Sequence, residues 1–332
     1  MPLQADTRID VFESIFLVFL GLGTLVGVVV IAYTLYNAYK YRDNGDLKTD
    51  DSLPTLGELP TGGKGGKKLF LSFGISAIIV ISLIIWTYGM LLYVEDPSDE
   101  FEEDPIEIDV LGNQFAWYFE YENGVESINT MTVPADHPVA IEVTGGDVWH
   151  SFGISDLRVK ADAIPGEYDE TWFMAEEAGE EHTIECFELC GDGHSAMDGT
   201  VQVMEQDEFD EWLDNQLALD IEIVTEDEES AADAVDELEL VHVEDGTEYT
   251  FDADDFDEEG TLELNEELEQ GGDFELTIAF DEEVTYEDEA TDTIEDSFSV
   301  TSPSSESYTI EANGDETDDE DDNDEDDGGD DE

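Results

Sequence analysis

Residues 69–94, LFLSFGISAIIVISLIIWTYGMLLYV, run for 26 positions without a charged side chain. About 20 such residues, coiled as a helix, cross a hydrocarbon layer roughly 30 Å thick. Residues 14–36, SIFLVFLGLGTLVGVVVIAYTLY, have the same character. Backbone inside a bilayer must satisfy its own hydrogen bonds, so both runs read as transmembrane helices. The first has no basic flank ahead of it and no small-residue cleavage site, which reads as a retained helix and not a removed leader. Gly23 and Gly27 give it a small-xxx-small face suited to close helix packing, although glycine is common in membrane helices anyway.

Outward from these helices the charge is uneven. Six of the nine basic residues, Lys40, Arg42, Lys48, Lys64, Lys67 and Lys68, fall in the loop at 37–68. Lys and Arg mark the cytoplasmic side of a membrane, so the loop is placed inside and both termini outside. Everything after residue 94 is then extracytoplasmic, in a cell-membrane protein with two spans.

From about 106 to 205, within a domain placed at 100–218, the pattern changes to short alternating runs, IEIDVLG, FAWYFEY, VAIEVTG and TVQVME, parted by turn segments such as PADHP. Period-two alternation with frequent turns indicates a β-sandwich, long enough to bury one core. EQDEFDEWLDNQLALD follows as a short amphipathic helix with Phe209, Trp212 and Leu213 on one side. Residues 219–313 keep strand-like runs, LELVHVE and FELTIAFDEE among them, and are read as a small accessory β-domain. The segment 314–332 has 14 acidic residues in 19 and no aliphatic side chain, the composition of a disordered tail.

Over the whole chain, 92 acidic residues face nine basic ones, a net charge of −83, yet 40% of residues are hydrophobic. Such a surface is tolerable in molar salt, where repulsion is screened over about 3 Å, and an extremely halophilic source is expected. Nucleic acid is excluded as a partner by the same charge.

The only cysteines, Cys186 and Cys190, lie in CFELCGDGHSAM at 186–197, with His194 and Met197 behind them and His150 in DVWHSF ahead. Thiolates, imidazoles and a thioether are soft donors of the kind that select copper. A local Cys186–Cys190 disulfide is the alternative, and the spacing alone does not decide between them. Two thiolates four positions apart can bridge two metal ions, each completed by one His and one weak ligand. Met197 supplies one such ligand and the carbonyl of Glu188 is the candidate for the other. Zinc is a poorer match, because a structural zinc site prefers four Cys or His ligands. His137, His182 and His242 are read as solvated or packed imidazoles.

On these residues, and on LRVKADAIPG between them, the chain resembles subunit II of the haem-copper cytochrome c oxidases over roughly residues 10–215. The resemblance implies a membrane-anchored all-β protein, in which a two-helix transmembrane hairpin precedes a cupredoxin-like Greek-key β-sandwich and an acidic extension. It implies a dinuclear CuA centre of two copper ions held by His150, Cys186, Cys190, His194 and Met197 and by the backbone oxygen of Glu188. The Glu188 carboxylate would reach a magnesium ion shared with subunit I. Electrons would enter through Phe115 or Trp117 of GNQFAWYFEY, where Trp117, Glu120 and Tyr121 keep the family pattern and Phe115 replaces a tryptophan. They would come from a soluble extracytoplasmic donor, cytochrome c or a blue-copper protein. Their destination would be haem in subunit I, where oxygen is reduced to water with proton translocation. This chain would work among subunit I and other oxidase subunits and hold no complete active site alone.

Two family features are missing. No acid stands between Glu58 and Glu95, where the family has one serving a proton channel, and Glu167 replaces the arginine after the PG turn. No CXXCH motif is present for a fused cytochrome c. Rival readings are the CuA subunit of a nitric oxide reductase and a membrane-anchored structural β-protein with a Cys186–Cys190 disulfide.

Overall fold

The computed structural model of the chain describes residues 7–40, 42, 64–95, 101, 104–265 and 267–312. Most of the loop expected in the cytoplasm, and the tail from 314, lie outside these residues. Two long helices come first, α1 over Arg8–Lys40 and α2 over Lys64–Glu95. Both are apolar all round, with residues such as Leu17, Ile31, Ile78 and Ile85 exposed, as suits helices that face lipid. Each runs past the charge-free stretch that betrayed it, because flanking charged residues can continue the helix while placing their heads at the interface. At the start of α1, Thr7 Oγ1 accepts from Asp10 N at 3.2 Å and Asp10 Oδ2 accepts from Thr7 N at 3.1 Å, a reciprocal cap.

The chain divides into two compact units, Met1–Tyr121 with Ser127–Phe209, and Glu122–Glu126 with Asp210–Glu332. In the first, ten strands form a sandwich. They are β1 (Ile106–Asn113), β2 (Ala116–Tyr121), β3 (Glu126–Ile128), β4 (Thr130–Pro134), β5 (Pro138–Gly145), β6 (His150–Ile154), β7 (Val159–Ala163), β8 (Asp169–Met174), β9 (Glu181–Cys186) and β10 (Asp198–Met204). One sheet has the order β3-β2-β1-β5-β8 and the other β4-β10-β9-β6-β7. β1 pairs with β5 and β4 with β10 in parallel, whereas β1–β2, β5–β8, β9–β10, β6–β9 and β6–β7 are antiparallel. The alternation seen in the sequence is the inward and outward period of these strands. In β5, Val139, Ile141 and Val143 are buried while Ala140, Glu142 and Thr144 are partly exposed.

Between the sheets Trp117, Phe119, Phe152, Ile154, Phe173 and Ile184 are almost fully buried, each contributing on the order of 2 kcal/mol by leaving water. Tyr121 Oη donates to Thr132 O at 2.9 Å and accepts from Thr132 N at 2.8 Å, tying the sheets together with no polar atom of that pair unmet. The short helix α3 (Gln206–Asn215) buries Phe209 beside Tyr121, their rings 6.4 Å apart. Trp212 and Leu213 on the same helix are half-buried.

The second unit holds two further sheets. β14 (Thr261–Leu264), β11 (Leu219–Val224) and β17 (Ser304–Thr309) form one. β13 (Glu248–Phe251), β12 (Val235–His242), β15 (Gly272–Tyr286) and β16 (Glu289–Val300) form the other, with β18 (Glu311–Ala312) pairing with β15. The long β15–β16 hairpin turns on Glu287 and Asp288, both at positive φ, as a two-residue turn between twisted strands requires. Leu238 and Leu240 of β12 and Phe274, Leu276 and Ile278 of β15 are buried.

Candidate metal centre

The predicted ligands come from three places on the sandwich. His150 opens β6, Cys186 closes β9, and Cys190, His194 and Met197 sit on the loop to β10. β6 and β9 are adjacent in the sheet, with Phe152 opposite Cys186, so two strand ends deliver an imidazole and a thiol to one point. The loop turns back through a short 3-10 segment, His194–Ala196, which returns Met197 to the interior.

The donor atoms converge. Cys186 Sγ lies 4.0 Å from Cys190 Sγ and 4.0 Å from His150 Nδ1. Cys190 Sγ lies 3.6 Å from His194 Nδ1 and 3.8 Å from Met197 Sδ. The carbonyl of Glu188 accepts from Cys186 Sγ at 3.2 Å. The ligating atoms of His150, Cys186 and Cys190 all fall within 4.8 Å of one another. Both cysteines are free thiols. His150 and Met197 are fully buried and Cys190 nearly so, whereas Cys186 and His194 are half-buried and the Glu188 side chain is exposed.

Electrostatics show what this cluster is suited to hold. Burial, and then the neighbouring Cys186, push the Cys190 thiol up to about 11. Two thiolates this close repel, and a soft cation between them reverses the sign of that interaction. The donor set of two cysteine sulfurs, two imidazole nitrogens, a thioether and a carbonyl therefore fits a soft metal such as copper.

Asp147 completes the site and was not legible as a candidate. Its Oδ1 lies 2.8 Å from His150 Nε2, and its Oδ2 accepts from Gln114 N at 3.2 Å. A carboxylate only accepts, so Nε2 carries the proton and Nδ1 presents its lone pair to the sulfurs. Burial raises the Asp147 carboxyl, but hydrogen bonds from His150, Val148 N and Gln114 N outweigh it and hold the pKa below the ordinary value. Only its place three positions ahead of the histidine could have signalled this role.

Of the two aromatic residues, Trp117 is fully buried, its ring edge-on to His150 at 6.1 Å. Phe115 is 40% exposed and stands on the β1–β2 turn at φ 68°, an uncommon conformation for an aromatic residue. Its ring lies against the loop 186–197, where a Cβ on Gly193 would come within 2.5 Å of it. A Cβ on Gly112 would likewise meet Trp117 at 2.8 Å and His150 at 3.3 Å. These glycines let the rings approach the cluster. His137 and His182 lie outside it, His137 bonding Asp104 O at 3.0 Å.

A family profile described as cytochrome C oxidase subunit II, periplasmic domain, matches residues 124–204. The chain is 37% identical over 210 residues to the heme-copper oxidase subunit 2 of Aeropyrum pernix, covering 60% of this chain and 87% of that one. It is 32% identical over 198 residues to a cytochrome c oxidase subunit 2 of Alkalihalophilus pseudofirmus, covering 58% of this chain and 55% of the relative. The crystal structure of the periplasmic domain of subunit II of cytochrome oxidase from Bradyrhizobium japonicum is 32% identical, with a TM-score of 0.32, over 33% of this chain and 91% of that chain.

Proposed function

The chain belongs to the haem-copper oxidase subunit II family, and from that premise we propose that it is the electron-input subunit, with a dinuclear copper centre in the loop 186–197. The single observation that carries this reading is the convergence of two sulfurs, two imidazole Nδ1 atoms, a thioether and a carbonyl within about one metal site's reach. His150, Cys186, Cys190, His194 and Met197 would hold the two ions by side chains and Glu188 by its backbone oxygen. Bound there, the copper pair supplies one-electron acceptance and release with little change in bond lengths.

The protein's part is to fix and shield the site. The ends of β6 and β9 set the positions of His150 and Cys186 before any metal arrives, and Asp147 fixes the tautomer of His150. Buried Met197, Phe152 and Trp117 keep water from the inner side, which lowers the local dielectric around the donors.

Phe115, exposed and seated on Gly193, is the group that a soluble extracytoplasmic donor would touch, and Trp117 lies behind it against His150. The donor would be cytochrome c or a blue-copper protein. The electron would leave to haem in subunit I, where oxygen is reduced with coupled proton translocation. The exposed carboxylate of Glu188 would meet a magnesium ion at that boundary. The helix pair anchors the chain in the membrane, and the charge bias of the connecting stretch puts both termini and the sandwich outside.

The test is haem reduction in the assembled oxidase on mixing with reduced donor. Cys190→Ser should abolish rapid haem reduction in a complex that still contains all its subunits. Unaltered haem reduction would sink the reading.

A further inference from the structure

Outside the stretch from Lys40 to Lys68 the chain has only three basic residues, Arg8, Arg158 and Lys160. Among 92 carboxylates, both arginines are nonetheless seated on aromatic rings. Arg8 Cζ lies 5.4 Å from the ring centroid of Trp172, and Arg158 Cζ lies 4.4 Å from that of Phe12. Their hydrogen bonds go to carbonyls, Arg8 Nη2 donating to Val94 O at 3.3 Å and Arg158 Nη1 to Ser155 O at 3.4 Å. Trp172 Nε1 donates to the same Val94 O at 2.9 Å. The Trp172 ring also meets Tyr93 and Phe101 edge-on, at 6.0 and 5.2 Å, and only 4% of the residue is exposed.

These contacts join the membrane helices to strands that lead to the metal site. Arg158 stands on the β6–β7 turn and touches α1 through Phe12. At its other end, about 13 Å away along the strand, β6 begins with His150. Trp172 lies on β8 opposite Ala140 of β5, and touches α2 through Val94 and Tyr93. β5 in turn ends at Gly145, just ahead of Asp147 and His150. Two strands that converge on one ligand are thus each pinned at the far end, one to α1 and the other to α2.

The choice of partners has a physical reason. An ion pair between one of these arginines and a carboxylate would be contested by every other carboxylate on the surface and weakened by salt. A ring face or a backbone carbonyl carries no net charge for other ions to contest, and although Arg8 also senses the Glu95 carboxylate, its attraction to the nearly buried Trp172 ring grows as water is excluded.

We propose that Arg8, Trp172 and Arg158 are positioning residues: they clamp the sandwich to the helix hairpin and so hold the copper centre at a fixed place over the membrane, from which it delivers electrons to the partner subunit. The clamp's purpose rests on the function proposed above, but its geometry does not.

The experiment therefore uses a distance readout independent of copper. In the full chain within the assembled oxidase, spin labels carried by unnatural amino acids at Leu35 of α1 and Asp162 of β7 report the separation of hairpin and sandwich. Copper content, the spectrum of the centre and the rate of haem reduction are measured on the same samples. Trp172→Ala and Arg158→Gln should leave copper and spectrum unchanged, broaden the distance distribution, and slow electron delivery about ten- to a hundredfold, the scale set by misplacement of about 1 Å. Trp172→Phe, which keeps a ring for Arg8 but loses the N–H to Val94, should fall between. Should Trp172→Ala fail to assemble, Arg158→Gln on its exposed turn carries the test alone. A narrow distribution with the original rate in Arg158→Gln would overturn the proposal, as would slowing accompanied by loss of copper. A wild-type complex without copper would refute the function proposed above while the label distances still tested the clamp.

Discussion

His150 Nε2 lies 2.8 Å from Asp147 Oδ1, and this one contact determines which nitrogen of the ring faces the sulfurs. With Asp147→Ala the ring can hold its proton on either nitrogen and loses the hydrogen bond that fixes its tautomer. Copper affinity of the full chain should fall about 10- to 100-fold in a competition titration, the usual effect of removing a carboxylate behind a ligating histidine. An unaltered affinity would mean that packing alone orients His150.

The contact between Phe115 and Gly193 makes a second prediction. Gly193→Ala places a Cβ within 2.5–2.8 Å of ring carbons, so the ring or the loop must move. Destabilisation of about 1–3 kcal/mol is expected, as for other overpacked sites. The double variant Gly193→Ala with Phe115→Ala should recover much of it, read from thermal midpoints in detergent. Additive losses in the double variant would show that the two residues do not press on each other.

In the second unit, Asp245 is a local staple. Its carboxyl is held at about 2, first by the hydrogen bond from Thr247 N and then by those from His242 and Thr247 Oγ1, against an ordinary value of 3.8. A carboxyl whose folded pKa is depressed contributes stability above its unfolded pKa and loses it as the pH falls through the folded one. The contribution should therefore fade between pH 3.8 and about 2. Asp245→Asn should flatten the pH dependence of unfolding in that window, followed in the full chain by exchange of the buried β12 and β15 amides. The same slope in the variant would assign the acid sensitivity to other carboxylates.

The sandwich also carries like charges in register. Glu120 pairs with Asp109, Asp109 with Glu142, and Glu142 with Glu170, a row across four neighbouring strands about 4.8 Å apart. Like charges placed directly opposite destabilise a sheet. Screening acts over about 3 Å at 1 M salt and about 30 Å at 0.01 M, so stability should drop as salt is removed. Glu142→Gln, flanked on both sides, should reduce that salt dependence more than Glu248→Gln on β13 does. Equal effects would attribute the salt response to total charge and not to this row.

Much of this architecture was readable because its signals are local. Charge-free runs marked α1 and α2, alternation marked strands such as β5, and the close spacing of Cys186, Cys190, His194 and Met197 marked the loop whose donor atoms converge. Strand partners were not readable, since a period of two states which face a residue takes but not which strand lies beside it. The parallel pairing of β1 with β5 is of that kind. Asp147 was hidden for a different reason, being one carboxylate among 92 in a sequence that offers no contrast. The seating of Phe115 on Gly193, and of Trp172 on Val94 O, joins residues 78 positions apart in each case, and only the folded chain brings them together. The helices outran their apolar cores because hydropathy reports the solvent around a helix and not where its backbone hydrogen bonds stop.

The most direct test of the central claim is the electron paramagnetic resonance spectrum of the purified full-length chain in its complex, taken with its copper content. Two coppers per chain should be found, with the hyperfine pattern of one unpaired electron shared by two equivalent copper nuclei, and Cys186→Ser should destroy that pattern. One copper per chain with the pattern of a single nucleus, or no copper with both thiols present, would contradict a dinuclear site at Cys186 and Cys190.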